Sequence, residues 1–301
     1  MNYVDIAFAL NKNIYLSLLT TINSIIKNTD KPEKFRFNIV VPEQEILFFI
    51  NEIEQTFPNF VFSLRIQTFT PPKIIENYLN CKYKELSAAR RMSRNMQFAR
   101  FFLKDIFPDI TRVIYLDTDL VVLRDLAQLL GTFELFSPEQ YFAAAPQVLP
   151  PIGHFMNPIE GLKQIQGMKQ SFNSGVFLTD FSYWNQETYS RLEYCLKLES
   201  KYNYNLYRVG DETILNLMFK NFIPLDRNWN RSGYGNAKIV ARFLQCDLEK
   251  ANIIHWSGGF HKPWNTHDII YGDLWKHYNP CQEGNILRED THRSTTIGGA
   301  H

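Results

Sequence analysis

Two aspartates, Asp117 and Asp119, stand between the apolar runs Val113-Ile114-Tyr115-Leu116 and Leu120-Val121-Val122-Leu123. A run of that kind reads as a buried strand, and unpaired charge inside one is costly. A divalent cation would offset the cost. Carboxylates two residues apart, with the chain turning at Thr118, can hold one hard metal ion, and a metal with open positions can clamp a diphosphate. Two Asp at a strand end also make ordinary turns, so the motif needs partners elsewhere.

Five other segments carry chemistry. Phe8-Ala9-Leu10-Asn11-Lys12-Asn13 places amides after the first strand, and Phe98-Ala99-Arg100 brings an arginine up to the strand before Asp117. Phe172-Asn173-Ser174-Gly175-Val176 is a polar break ahead of a buried strand, or simply a turn into it. Gly210-Asp211-Glu212-Thr213 opens a helix with two acids, which either cap it or meet a ligand. The stretch from His255 through Gly258, Gly259, His261 and Lys262 to Trp264 joins an imidazole, flexible backbone and a cation. Trp256 and Trp264 suit a core or a sugar platform equally.

The elements that must position these residues alternate. Val4 to Leu10, Phe35 to Val41 and Val61 to Thr68 read as strands, with helices over Tyr15 to Lys27 and Glu43 to Gln55 between them. That order predicts an α/β domain with a doubly wound, mainly parallel sheet, whose ligands gather at the carboxyl ends of strands. Asp117 lies at such an end. Beyond it, Tyr141 to Ala145 and Gly175 to Thr179 read as strands, and Tyr183 to Leu198 and Asp211 to Phe219 as helices. Two long connections, Pro146 to Gln170 and Thr70 to Ser93, read as substrate loops. The second carries Lys82, Lys84, Arg90 and Arg91, with Arg94 beside it, either a solvated face or a contact for phosphate.

With 32 basic and 31 acidic residues, the chain has no charge excess for bulk nucleic-acid binding. Cys81, Cys195, Cys246 and Cys281 form no C-x-x-C pair, which argues against structural zinc and for reduced thiols in the cytoplasm. No stretch reaches the ~20 apolar residues needed to cross a bilayer, so any membrane association would be peripheral. Residues 1–280 read as one domain, and the polar stretch 281–301 as a mobile tail.

Taken in order, these motifs resemble glycosyltransferase family 8, and the resemblance runs from Val4 to about Tyr278. It implies a GT-A fold and a metal-dependent, retaining transfer from a UDP-sugar donor to a hydroxyl of a glycan or glycolipid acceptor. By position, Asp117, Asp119 and His255 resemble ligands of Mn2+, with Mg2+ as the alternative. Ala9, Asn11, Asn13, Arg100, Thr118, Asn173, Gly258 and Lys262 resemble the donor-binding set. Asp211, Glu212 and Lys262 resemble the catalytic group. Three departures stand out. Asn11 replaces a frequent acid, one extra residue separates His255 from Lys262 and leaves His261 as an alternative ligand, and Glu212 occupies a place usually held by glutamine. The competing readings are a sugar-nucleotide-forming nucleotidyltransferase, against which the glycine-free Phe8 to Tyr15 counts, and a non-catalytic sugar-nucleotide-binding protein of the same fold.

Overall fold

The computed structural model describes residues 3–147, 161, 163–266 and 268–281. Strands β1 (Val4–Ala9), β2 (Phe35–Val41), β3 (Ser63–Thr68) and β4 (Arg112–Leu116) belong to a seven-stranded sheet with β6 (Phe142–Gln147), β7 (Ser171–Asp180) and β8 (Ile223–Pro224). The order is β3-β2-β1-β4-β7-β6-β8. From β3 to β4 all neighbours are parallel, whereas β7 runs antiparallel to both β4 and β6. A second, three-stranded sheet joins β5 (Leu120–Val122), β10 (Ile253–His255) and β9 (Arg231–Ser232). Direction thus changes at β4, which is where an open α/β sheet leaves a crevice.

Helix α1 (Tyr15–Lys27) covers one face and buries Leu18, Ile22 and Ile25 against β1 and β2. Its Ser17, Thr21 and Ser24 are buried as well, and they face the turn between β4 and β5. Thr21 Oγ1 lies 2.8 Å from the carbonyls of both Thr118 and Leu120, and Ser24 Oγ accepts the Val122 N–H at 2.9 Å. These hydroxyls satisfy backbone that a β-ladder would otherwise have to pair. Helix α2 (Ile46–Thr56) extends the same layer through Phe49 and Ile53.

The opposite face is covered by α3 (Lys73–Lys82), α4 (Ala88–Phe98), α6 (Gln186–Lys201) and α7 (Gly210–Met218), with the short α5 (Leu103–Ile106) ahead of β4. Two further short helices, α8 (Lys238–Phe243) and α9 (Gly272–Tyr278), flank the small sheet. No helix among the described residues is long and apolar enough to cross a membrane.

Three expectations change here. The stretch from Thr70 to Ser93 is not a substrate loop: it folds as α3 and most of α4, and Ser87 caps α4 by accepting the Arg90 N–H. Lys82 is not on a basic face. Its Nζ donates to Glu199 Oε1 at 2.5 Å and to the carbonyls of Tyr204 and Tyr207, while Glu199 Oε2 accepts the N–H groups of Leu206 and Tyr207. The polar break at Phe172 to Gly175 is part of β7, which begins at Ser171. Of Pro146 to Gln170, Pro146 and Gln147 end β6, and 148–160 lie outside the described residues, as does the tail beyond Cys281.

Because Glu199 is fully buried, removing its cation leaves an uncompensated charge in the interior. Lys82→Met is expected to lower stability by about 3 kcal/mol, and adding Glu199→Gln should restore part of that. Urea denaturation of the single and double variants measures both; equal losses in the two would contradict it.

Candidate active site

The carboxyl ends of β1 and β4 open on one cleft, and the start of β7 and the end of β10 pack against the turn after β4. The Asp117 N–H donates to Gly175 O at 2.7 Å, which docks the residue after β4 onto β7. On the small sheet, Trp256 N–H donates to Asp119 O at 2.9 Å, and His255 pairs with Leu120 across β10 and β5. As a result, one ligand atom from each of Asp117, Asp119 and His255 lies within 4.8 Å of the others. His261 is not part of this group.

The arrangement suits a cation. Asn230 Nδ2 donates to Asn173 O and Oδ1 at 3.3 and 3.2 Å, which turns Asn230 Oδ1 toward His255 Nδ1 at 2.9 Å. This network places a ring proton on Nδ1 and makes Nε2, 3.1 Å from Asp119 Oδ1, the nitrogen that can serve a metal. A divalent ion shared by the two groups would take the Nε2 lone pair and a carboxylate oxygen in place of that contact. Gly175 makes room: a Cβ there would come within 2.2 Å of His255 Cε1 and 2.9 Å of Asp117 Oδ2.

Charge around the two aspartates is uneven. Burial raises the Asp117 pKa, Arg100 opposes that, and Asp119 adds to it. Burial also acts on Asp119, but Lys262 and His255 outweigh it and hold Asp119 far below the usual carboxylate range. Lys262 Nζ lies 2.5 Å from Asp119 Oδ2 and also donates to Trp256 O. Arg100 is buried, with its guanidinium 4.5 Å from the Tyr115 ring centroid. Its Nη2 donates to Asp117 Oδ1 at 2.8 Å, and Nη1 reaches Ser174 Oγ at 3.0 Å and Asp211 Oδ2 at 3.3 Å.

Glu212 sits one residue beyond Asp211 in the first turn of α7 and is buried. Its Oε2 accepts Asn173 Nδ2 at 2.8 Å and the Ser174 N–H at 3.2 Å. Burial pushes its carboxyl up to about 7; the Ser174 N–H opposes the shift, and Asp211 and Asp117 increase it. Asn216, one turn further on, clamps α7 to β7 through both the N–H and the carbonyl of Phe172.

The cleft itself is lined by Ala9, Asn11, Ser93, Arg100, Asp117, Thr118, Asp119, Lys262 and Trp264, among others. Asn11 donates to Ser93 Oγ at 2.8 Å and accepts the Asn13 N–H, so it ties the end of β1 to α4. Thr118 is buried and bonded to Ser17. Asn13 is exposed and does not line the cleft, and Gly258 packs instead against Gly235 and Asn236, with φ of 116°. Between His255 and Lys262 the backbone bends at Gly258, Gly259 and Phe260. Phe260 and His261 both donate to Gly235 O, Phe260 points into solvent, and Lys262 still reaches Asp119.

Sequence reasoning missed Asn230, Asn216, Ser17 and Ser93. Asn230 follows Asn228 and Trp229 in an irregular segment with no periodic signal, and Ser17 reads as an ordinary polar position of α1.

The profile of the family described as glycosyl transferase family 8 matches residues 5–268. The chain belongs to glycosyltransferase family 8. Probable galacturonosyltransferase-like 6 of Arabidopsis thaliana is 26% identical over 269 residues, covering 87% of this chain and 74% of that protein. The crystal structure of the galactosyltransferase LgtC with donor and acceptor sugar analogs superposes with a TM-score of 0.64 at 18% identity, covering 92% of this chain and 95% of that one. GlyE of Streptococcus pneumoniae TIGR4 gives a TM-score of 0.64 at 23% identity, covering 98% of this chain; the chain spans 64% of GlyE's length. The architecture is the GT-A fold, and this family 8 protein is a glycosyltransferase.

In this family 8 site the raised Glu212 pKa has a stability consequence. A carboxyl whose folded pKa lies near 7 binds more protons folded than unfolded, so the wild type loses stability as pH rises from about 4.5 to about 7. Glu212→Gln removes that loss. Relative to wild type it should gain roughly 2–3 kcal/mol between pH 5 and 8 and show no pH-dependent difference below pH 4, as read from denaturant midpoints across pH.

Proposed function

We propose that residues 1–280 form a Mn2+-dependent retaining transferase that moves a sugar from a UDP-sugar to a hydroxyl of a glycan or glycolipid, with Mg2+ as the alternative metal. The observation that carries this reading is the convergence of Asp117, Asp119 and His255 on one cation-sized space, with the Lys262 ammonium beside it. Carboxylate oxygen and imidazole nitrogen together suit a borderline divalent ion such as Mn2+. When bound, that ion would supply positive charge for the two phosphates of the donor.

The chain's own residues divide the remaining work. Lys262 stands at the cleft end of the His255 loop, where its ammonium can neutralise charge that develops on departing UDP. Arg100 acts largely through others, because it holds Asp117 and Asp211 in place while it lines the cleft. To Asp211, which is held by Arg100, we assign the orientation of donor-sugar hydroxyls. One oxygen of Glu212 is already committed to Asn173 and Ser174, which fits a positioning role and attack from the face of the leaving group better than a covalent intermediate. That the similar LgtC structure was solved with donor and acceptor sugar analogs supports the division into donor and acceptor.

Asp119→Ala should abolish transfer and weaken UDP binding by about a hundredfold in Mn2+, because the diphosphate loses its main counter-charge. Calorimetric titration of UDP with and without metal measures this, and equal binding in both conditions would overturn the reading. Glu212→Gln should keep transfer within about tenfold of wild type, whereas loss of a nucleophile costs far more. A glycosyl adduct trapped on Glu212 would refute the positioning role.

A further inference from the structure

Helix α8 (Lys238–Phe243) carries apolar side chains on both of its faces. On the inner face Ala241 is buried, and with Leu244 just after the helix it joins the cluster around Trp256 and Trp275. On the outer face Ile239 is 80% exposed and Phe243 75%. Four residues apart, these two share one helix face, and Lys238 and Arg242, also four apart, form the row beside them. Val240 is a further exposed apolar side chain. A helix that is apolar all round is normally covered on every side.

The turn that leads to Lys262 extends this patch. Phe260 is 73% exposed, and its N–H and that of His261 donate to Gly235 O, just ahead of α8. Asp268 links the two segments, because it pairs with Lys238 and lies within electrostatic reach of Arg242 and His261. Lys238 and Arg242 outnumber that one acid. Asp247 and Glu249 follow α8 but stand toward the other end of β10, where Leu123 N–H meets Asn252 O, Arg124 holds the Glu249 carbonyl and Lys250 pairs with Asp247. Just beyond Phe260, Lys262 and Trp264 line the cleft, so the patch adjoins it.

We infer that Ile239, Val240, Phe243 and Phe260 insert into an anionic bilayer surface while Lys238 and Arg242 meet its headgroups. Single side chains that project from a short helix and a turn are surrounded by acyl chains on all sides, whereas a flat protein partner covers only their tips. The Lys and Arg stems lie along the same apolar zone and carry their charge to the phosphate level, where each cation adds attraction to anionic lipid. Docked this way, the chain holds its cleft beside the lipid surface. None of these residues belongs to the metal group, so the surface stands or falls separately from the transferase reading.

Sedimentation of the full chain with phosphatidylcholine vesicles, with and without phosphatidylglycerol at roughly one lipid in three, tests this without nucleotide or metal. The wild type should bind the anionic vesicles about fivefold or more tightly than the neutral ones, and raising salt from ~0.05 to ~0.5 M should remove most of that difference. Ile239→Ser with Phe243→Ser should weaken binding to the anionic vesicles about tenfold or more, since each side chain loses the gain from leaving water. Phe260→Ser, on the separate segment, should weaken it as well and decides the question if the helix variant does not fold. Lys238→Gln with Arg242→Gln should lower binding to the anionic vesicles alone. Absence of vesicle binding by the wild type, or binding that neither apolar variant weakens, overturns the inference. A wild type that ignores vesicles but forms a dimer in gel filtration, lost in Ile239→Ser with Phe243→Ser, overturns it too and assigns the patch to a second copy.

Discussion

The contact on which most of the site depends is the buried Arg100 guanidinium between Asp117 and Asp211. Burial works against its charge, but Tyr115, Asp117 and Asp211 outweigh that and raise its pKa. One planar cation thereby joins the segment before β4, the turn after it, the start of β7 through Ser174, and the first turn of α7. Without it, two carboxylates would share a low-dielectric space with no counter-charge, an arrangement that proteins relieve by moving or protonating one of them.

Geometry of the sheet explains why such a crowded centre can exist. At β4 the sheet passes from parallel neighbours to the antiparallel β7, so the crossover helices of the first half no longer cover the strand ends and a crevice remains. The small sheet then brings β10 back against β5, which sets His255 opposite the turn it serves. Gly175 lets the two approach, since any side chain there would occupy the space of the imidazole. Gly235 does the same for the loop that carries Lys262: a Cβ would meet Trp256 O at 2.3 Å.

A second layer governs orientation. Asn230 sets the imidazole tautomer, Ser17 and Thr21 hold the Asp117 to Asp119 turn, and Glu212 and Asn216 fix the entry of β7. These residues lie at large sequence distances from the groups they hold. Asn230 serves both His255 and Asn173, so the end of β10 and the start of β7 share one amide.

Local patterning alone determined the α/β alternation. Helix α1 and strand β2 follow directly from their apolar periodicity, and the Asp117 and Asp119 break is visible because charge interrupts a buried strand. The resemblance to family 8 rested on the same residues. Helices α3 and α4 escaped because Pro71 and Pro72 resemble a loop and because the basic positions Arg90, Arg91 and Arg94 obscure a short apolar face. Lys82 looked solvated, since nothing in the sequence links it to Glu199, more than a hundred residues away. Which lysine is buried, which nitrogen of His255 is free and which asparagine holds it were decided only by the tertiary structure, because pairing of charges and donors depends on distance in space, which periodicity along the chain does not encode.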